Sequence, residues 1–333
     1  MQKQLNQIAI EEGLSGVVRV DIDGVVAFEG AYGPAHRGLG IPNTMDTQFG
    51  TASGAKGFTA LTAMSMVERG ELSLDTTARS LLGDDLPLID DLVTVEHLLA
   101  HRSGIGDYLD EELFDDTNTY VMPIPVHQLA APEDYLRVLG GYPMKQEPGA
   151  QFVYNNGGFV VLALLIERAA KISYHDLVDQ RVCAPAGLRD TAFLRSDELP
   201  GRAASGYLED DGLRSNILHL PVRGVGDGGI YTTAADMHRL WDAVFAGRVV
   251  APETVEAMVY PRSDAPGMGM RNGLGFWLDA VTDAVSIHGF DAGVGFVSVR
   301  DPRGRYAYTV ISNKSRGAWP VSERIDALIK RPA

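Results

Sequence analysis

The chain has 333 residues, of which 45% are hydrophobic and 22% are charged, and its formal net charge is −15. This composition is that of an ordinary globular protein, and the length is sufficient for one large two-part domain or two domains. A surface this acidic repels phosphate backbones and anionic membranes, so we expect neither nucleic acid nor a membrane as a partner.

The N-terminal segment and the cysteine content bear on the cellular compartment. Residues 1–16 have no continuous apolar core and include two glutamates, which argues against a signal peptide. No stretch reaches the roughly 18 apolar residues that predict a membrane span. The one cysteine, Cys183, lies among small apolar residues, a setting typical of a buried and unreactive thiol. We therefore expect a soluble, cytoplasmic protein.

The first predicted elements are a hairpin and a helix. Residues 17–33 contain two β-branched runs around an Asp-Gly pair, which predicts a β-hairpin. Residues 56–70 have apolar side chains at helical spacing and end in glycine, which predicts a helix. Lys56 therefore lies in the first turns of a helix that begins close to Ser53.

Further helices are expected in the middle of the chain. Their apolar spacing predicts them over residues 94–104, 132–141, 155–171 and 231–247. The helix at 155–171 is almost wholly apolar on one side, so we expect it to be buried. Thr232 or Thr233 is the expected N-cap of the helix at 231–247.

The C-terminal part is rich in strands. Residues 284–313 form two β-rich runs joined by a turn at 300–304, and residues 319–330 have the pattern of an amphipathic helix. Strands therefore lie at both ends of the chain and helices fill the middle. This order predicts an α/β fold of the α+β type, with an antiparallel sheet from both chain termini flanked by helices, plus a mostly helical subdomain.

The same pattern predicts the subdomain boundaries. We expect an α/β subdomain from about 1–72 and 225–333, and a helical subdomain over about 73–224.

Ser53 and Lys56 form the first candidate for catalysis. Positions i and i+3 share a helix face, so the Lys56 amine can reach the Ser53 hydroxyl, which needs a base to act as a nucleophile. A helix N-terminus favours negative charge nearby, and burial lowers the proton affinity of an amine, which suits a base. The alternative is an ordinary helix capped by serine, and the Ser-x-x-Lys tetrapeptide alone favours that alternative.

Four ordered segments indicate a family. Residues 49–75 resemble the nucleophile helix of the serine β-lactamase and penicillin-binding-protein superfamily, class C branch, which also contains carboxylesterases and D-amino-acid peptidases. Residues 93–105 resemble its His-x-Ser-Gly segment, and residues 152–170 resemble its Tyr-x-Asn motif. Residues 226–240 resemble its glycine pair with the following helix. The resemblance implies a single β-lactamase-like unit over residues 1–333.

The Tyr-x-Asn motif consists of Tyr154 and Asn156. A phenol close to the Lys56 cation has a lowered pKa and can act as general base and then general acid. Asn156 can hold the Lys56 amine and hydrogen-bond a substrate carbonyl. Taken alone, this segment is a polar turn before a buried helix, and the family resemblance favours the catalytic interpretation.

The third family motif, usually Lys-Thr-Gly or His-x-Gly, departs from the pattern in residues 286–296. Alignment on the glycines places Ile287 at the cation position, followed by His288 and Gly289. Successive strand residues point to opposite faces, so His288 faces the site only if the strand has a bulge. Gly289 would allow close approach to the strand, and the resemblance implies that the N–H groups of Phe290 and Ser53 form the oxyanion hole.

Other patterns are weaker. His97 and His101 have zinc-like spacing on a helix, but no glutamate follows His97, so we predict no metal site and no cofactor. Residues 224–230 lack the glycine spacing of a dinucleotide site. The acidic residues within 109–118 predict a solvated loop that can also border the site.

These patterns predict a serine hydrolase that acts through an acyl-enzyme. Ser53 is the expected nucleophile, and Lys56 and Tyr154 transfer the protons. We expect Asn156, His288, Gly289 and Phe290 to bind a small-molecule ester, amide or lactam substrate. The missing strand cation favours an ester or small amide over β-lactams and D-alanyl peptides, unless an arginine such as Arg271 supplies the charge. A β-lactamase or D-amino-acid peptidase and an inactive binding homologue remain alternatives, and the oligomeric state is not predicted.

Overall fold

The computed structural model describes residues 1–113, 116–265 and 269–329. Its strands are β1 Gly16–Ile22, β2 Val25–Tyr32, β3 Pro34–His36, β4 Ile41–Pro42, β5 Phe49–Gly50, β6 Tyr231–Thr232, β7 Ser263–Ala265, β8 Met270–Asn272, β9 Trp277–Asp279, β10 Val285–Asp291, β11 Val294–Arg300 and β12 Tyr306–Ser312. Its α-helices are α1 Gln2–Glu11, α2 Ala55–Glu68, α3 Ala78–Leu82, α4 Val95–Leu99, α5 Leu136–Leu139, α6 Asn156–Ala170, α7 Tyr174–Val178, α8 Ala184–Ala186, α9 Ala234–Phe245, α10 Pro252–Met258 and α11 Trp319–Ile329. Among these helices none is long and apolar enough to span a membrane.

A large antiparallel sheet is built from both ends of the chain. Its strand order is β2-β1-β12-β11-β10-β9-β8-β7, so the N-terminal hairpin pairs directly with the C-terminal strand β12. The hairpin turn has Asp23 at φ 49° and Gly24 at φ 75°, the backbone conformation that tight hairpins require. The predicted fold class and the predicted hairpin are therefore confirmed.

Successive strand residues point to alternate faces of this sheet, so that both faces have apolar side chains. Helices cover both faces. Val18 and Val310 pack with α1 and α11 in one core, and Val17 belongs to the core of the other face, which contains α2, α6 and α9. Nearly every residue of α2 is buried, because the helix lies between the sheet and α6. The subdomain boundaries near residues 72 and 225 stay a prediction.

Most of the predicted helices are present, with changes at their ends. The helix at 155–171 is α6, buried as expected, and the helix at 231–247 is α9, whose N-cap is Thr233, the side chain of which accepts from the backbone N–H of Asp236. The segment 132–141 is a short 3₁₀ turn followed by one α-helical turn.

The C-terminal sheet departs from the prediction. Residues 284–300 were expected as one run and instead form two strands, β10 and β11, because Gly293 adopts φ 68° and reverses the chain. The short strands β7, β8 and β9 and the N-terminal helix α1 had no clear sequence signal.

Candidate active site

Ser53 lies in the 3₁₀ turn Ala52–Gly54, directly before α2. Thr51 ties this turn to the neighbouring strand, because its N–H and its hydroxyl both donate to the Ile230 carbonyl at 2.9 and 3.0 Å. Ala52 has φ 47°, a region that residues other than glycine rarely occupy. Strain of this kind persists only where the surrounding structure enforces it, so the fold holds Ser53 in one position.

Lys56 is buried beside Ser53, with only 5% of its surface exposed. Its Nζ donates to three oxygen atoms: Ser53 Oγ at 2.9 Å, Asn156 Oδ1 at 2.8 Å and the Asp227 carbonyl at 2.8 Å. Burial lowers the pKa of Lys56, but the acidic groups around it, among them Asp227 and Glu111, raise it, and the pKa lies above its ordinary value. The expectation that burial makes this amine a readier base is therefore wrong.

Tyr154 is the second group that contacts the Ser53 hydroxyl. Its hydroxyl donates to Ser53 Oγ at 3.0 Å, and its ring centroid lies 5.1 Å from Lys56 Nζ. Burial raises the pKa of Tyr154 above its ordinary value, although Lys56 acts in the opposite direction. The expected lowering of this pKa is therefore also wrong, and the resting phenol is neutral.

Asn156 begins α6 and has no free amide group. Its Oδ1 accepts from Lys56, as expected from the sequence. Its Nδ2 donates to the Leu109 carbonyl at 2.9 Å and to Glu111 Oε1 at 3.1 Å. A substrate carbonyl would therefore have to displace Glu111 to reach this amide.

Asp107 was not predicted, and it fixes the start of α6. Its carboxylate accepts from the backbone N–H groups of Asn156 at 2.6 Å and Gly157 at 2.8 Å. These are donors that a helix N-terminus otherwise leaves unsatisfied. Asp107 thereby fixes the backbone that carries Asn156, and its position after a glycine-rich turn is the only sequence signal for it.

Asp227 was also missed. It lies beside the glycine pair of the family segment 226–240, and the sequence assigns it no role of its own. Its backbone carbonyl holds Lys56, and its side chain accepts from the Tyr108 hydroxyl at 2.5 Å. A contact made by a backbone carbonyl has no sequence signature, so only the folded chain reveals it.

A cavity that is partly open to solvent has Ser53 in its wall. Its lining is largely apolar and aromatic, and it includes the acidic side chains Glu111, Asp227 and Asp291. No lysine or arginine is among the described residues that line it. Burial and the nearby carboxylates raise the pKa of Asp291 to about 7. The cavity therefore favours neutral or cationic ligands over anionic ones.

The family model described as Beta-lactamase matches residues 4–331. The chain belongs to this family. It is similar to Esterase EstB of Burkholderia gladioli, with 30% identity over 84% of this chain and 78% of the esterase. It is also similar to a D-aminopeptidase of Brucella anthropi, with 31% identity over 68% of this chain but only 41% of that protein. Family and relatives together identify the chain as a hydrolase.

Solved structures show the same fold. A penicillin-binding protein from Bacillus halodurans superposes with a TM-score of 0.90 and 34% identity, covering 97% of this chain and 99% of that one. D-amino acid amidase from Ochrobactrum anthropi SV3 has a TM-score of 0.80, with 98% of each chain covered. Its identity is 22%, so this second likeness concerns the fold alone.

The strand of the third family motif, β10, has Ile287 and His288 on opposite faces. Ile287 is buried against Gly57, one residue after Lys56, on the side of α2. The His288 ring lies on the other face, edge-on to Trp319 at 5.1 Å, and its Nδ1 has no hydrogen-bond partner. Burial lowers the pKa of His288 to about 4. β10 therefore presents Ile287, and not His288, towards α2, and Ile287 is the residue that the sequence alignment places at the family cation.

Gly289 lies directly against the turn that contains Ser53. A Cβ atom at this position would stand 1.8 Å from the Thr51 carbonyl oxygen. The glycine is therefore needed for the approach of the turn to β10, and the next residue, Phe290, lines the cavity. Arg271, the alternative source of positive charge, pairs with Asp283 at 2.5 Å and is not part of the described cavity lining.

The weaker candidates have other partners. His97 Nδ1 accepts from the Thr94 backbone N–H, and the described residues contain no group of three or more His, Cys, Asp or Glu side chains suited to a metal. Cys183 is buried, and burial raises its pKa to about 12. In the acidic loop Glu111 reaches the cavity, whereas Phe114 and Asp115 lie outside the described residues.

Proposed function

We propose that this hydrolase cleaves small carboxylic esters or amides through an acyl-enzyme on Ser53. The observation that carries the proposal is the position of Ser53 Oγ, which accepts from both Lys56 Nζ and Tyr154 Oη at the wall of the cavity. A serine nucleophile requires a neighbouring group that accepts its proton, and either neighbour can do so once it has lost its own proton.

The first half of the reaction is acylation. The resting pair of a Lys56 ammonium and a Tyr154 phenol must first lose one proton to solvent. Ser53 Oγ then attacks the carbonyl carbon while its proton passes to the Tyr154 oxygen. The N–H groups of Ser53 and Phe290 are proposed to stabilise the oxyanion. The carbon–oxygen or carbon–nitrogen bond breaks as Tyr154 returns the proton to the leaving alcohol or amine.

The second half is deacylation. Water attacks the acyl carbon and gives its proton to Tyr154, the bond to Ser53 Oγ breaks, and that oxygen recovers the proton. The acid product leaves, and no other reactant is needed. Throughout both steps the Lys56 cation, held by Asn156 and Asp227, stabilises negative charge on the Tyr154 oxygen.

The charge of the cavity supports the proposed substrate class. Glu111, Asp227 and Asp291 border it, and Ile287 stands where relatives of this family are expected to carry a cation. Substrates with a free carboxylate, such as β-lactams and D-alanyl peptides, would meet repulsion there. A small amide whose acyl group carries an ammonium ion fits the same charges, so D-amino-acid amidase activity is the second candidate.

Side-by-side hydrolysis tests the substrate class. We expect turnover of a p-nitrophenyl ester, with slower or absent turnover of nitrocefin and measurable turnover of a D-alanine amide. Nitrocefin hydrolysis faster than that of the ester would refute the preference. The predicted cytoplasmic location stays a prediction.

A fluorophosphonate probe tests the nucleophile. We expect one adduct on Ser53, none in Ser53→Ala, and a rate lowered by about 10²-fold or more in Lys56→Ala. A folded protein that forms no adduct would instead support a binding homologue without catalysis. Labelling unchanged by Lys56→Ala would refute the role of the lysine.

A further inference from the structure

Three aromatic side chains surround Tyr154, and together they form what we call the Tyr154 ring cluster: His101, Phe152, Tyr154 and Trp277. The Tyr154 ring stacks on His101 with a centroid distance of 4.6 Å and on Trp277 at 6.1 Å, with interplanar angles of 29° and 18°. Phe152 packs edge-on against both His101 and Trp277, at 5.7 and 5.8 Å. These separations lie in the favourable range for aromatic pairs.

The backbone around Tyr154 makes these contacts important. Residues 152–155 belong to no helix or strand, so no regular hydrogen-bond ladder holds them. His101 supplies the missing anchors on both sides of Tyr154. Its carbonyl accepts from Val153 N–H at 2.9 Å, and its Nδ1 accepts from Asn155 N–H at 3.1 Å. The same residue therefore holds the backbone before and after the tyrosine and one face of its ring.

His101 itself occupies a strained conformation. Its φ is 53°, in the left-handed region, and it is 4% exposed. A residue other than glycine in this region costs about 1 to 2 kcal/mol. Burial and the Lys56 cation keep the pKa of His101 well below its ordinary value, so Nδ1 is free to accept. The left-handed backbone and the neutral ring of His101 both allow its contacts with residues 153–155.

We propose that His101 and Trp277 are positioning residues that hold the Tyr154 hydroxyl against Ser53. The inference rests on the proposed function, because it assigns the two rings to the group that transfers the proton. A phenol at the end of an irregular segment has two side-chain torsions to fix, and stacking on two rings fixes both. A displacement of about 1 Å at a catalytic group can lower a rate by roughly 100-fold.

The test is a double-mutant cycle on Trp277 and Tyr154, with the rate of fluorophosphonate labelling at Ser53 measured by intact mass. Trp277→Leu should lower this rate about 10- to 100-fold, and Trp277→Phe, which keeps a flat ring, should restore it to within about threefold. In a Tyr154→Phe background, Trp277→Leu should lower the residual rate by less than about twofold, because no hydroxyl remains to be positioned.

Two further variants are measured beside the double-mutant cycle. His101→Asn keeps a residue that tolerates the left-handed turn and an acceptor for Asn155 N–H, but removes the ring, so it should behave as Trp277→Leu does. Trp319→Leu is the matched control, because Trp319 contacts His288, which stacks on Trp277 at 6.3 Å, and has no described ring contact with Tyr154 itself. It should label at the wild-type rate.

The outcomes separate the two proposals. If Trp277→Leu lowers the labelling rate equally with and without the Tyr154 hydroxyl, Trp277 has a general structural role and the inference is overturned. The proposed function still stands in that case, because the wild-type protein is labelled on Ser53. The same loss in Trp319→Leu would overturn the inference too. A wild-type protein that neither labels on Ser53 nor hydrolyses any ester or amide would overturn both.

Discussion

Replacing Gly289 by alanine perturbs the approach of β10 to the turn that contains Ser53. An added Cβ would stand 1.8 Å from the Thr51 carbonyl oxygen and 3.0 Å from the Gly54 nitrogen. Both atoms belong to backbone around Ser53, so no side-chain rotation relieves the overlap. The turn and the strand must move apart.

The size of this movement follows from the contact. Real Cβ atoms essentially never approach another heavy atom closer than 3.0 Å, and the difference between 3.0 and 1.8 Å is 1.2 Å. A shift of about 1 Å at a catalytic centre costs roughly 100-fold in rate. Overpacking of a buried contact costs about 1 to 3 kcal/mol of folding free energy. Gly289→Ala should therefore label at Ser53 about 100-fold more slowly and unfold more easily.

The assay combines fluorophosphonate labelling with urea denaturation. Gly201→Ala is the matched control, because a Cβ there has no neighbour within 4 Å and the backbone has no positive φ. It should match the wild type in both measurements. If Gly289→Ala labels within about threefold of the wild-type rate, the close approach does not position the nucleophile, and the argument from Gly289 fails.

The remaining predictions concern pH, charge and helix capping. The pKa values of Lys56 and Tyr154 are both raised, so their pair keeps both protons at neutral pH. The labelling rate should therefore increase as the pH rises above 7, up to about tenfold per unit, and a rate that falls over this range would contradict the assignment. Asp291 has its pKa raised to about 7, so it gains negative charge as the pH rises through 7. The ratio of kcat/KM for a neutral ester over a carboxylate-bearing ester should increase about fivefold across that range, and Asp291→Asn should abolish the increase. Thr233→Ala removes the N-cap of α9 and should lower the free energy of unfolding by about 1 kcal/mol in urea denaturation; an unchanged midpoint would argue against the cap.

The sequence predicted the parts of the site that depend on local spacing. Ser53 and Lys56 lie three residues apart, and a helix beginning between them necessarily places both on one face. Hairpin and helix patterns at the two ends of the chain also predicted the mixed fold with its antiparallel sheet. The hairpin within residues 284–300 was missed because its turn depends on the positive φ of one glycine, Gly293, and the sequence does not distinguish it from the nearby Gly289 and Gly295.

The directions in which the pKa values of Lys56 and Tyr154 shift could not be worked out from the sequence. An apolar neighbourhood around Lys56 predicted a lowered pKa, but the sign depends on which oxygen atoms the fold brings to the amine. One of those oxygens is the carbonyl of Asp227, 171 residues away along the chain. The raised pKa of Tyr154 likewise depends on burial that no local pattern reports.

The sequence alone therefore predicted the candidate nucleophile and its lysine neighbour and determined the family to which they point, because short-range spacing and motif order carry that information. Only the tertiary structure decided that Ile287 faces α2 while His288 packs on the opposite face of β10. It also brought His101 and Trp277 onto Tyr154. The physical reason is that strand register and long-range packing set the face of a side chain and its neighbours, and both depend on contacts between segments far apart in the chain.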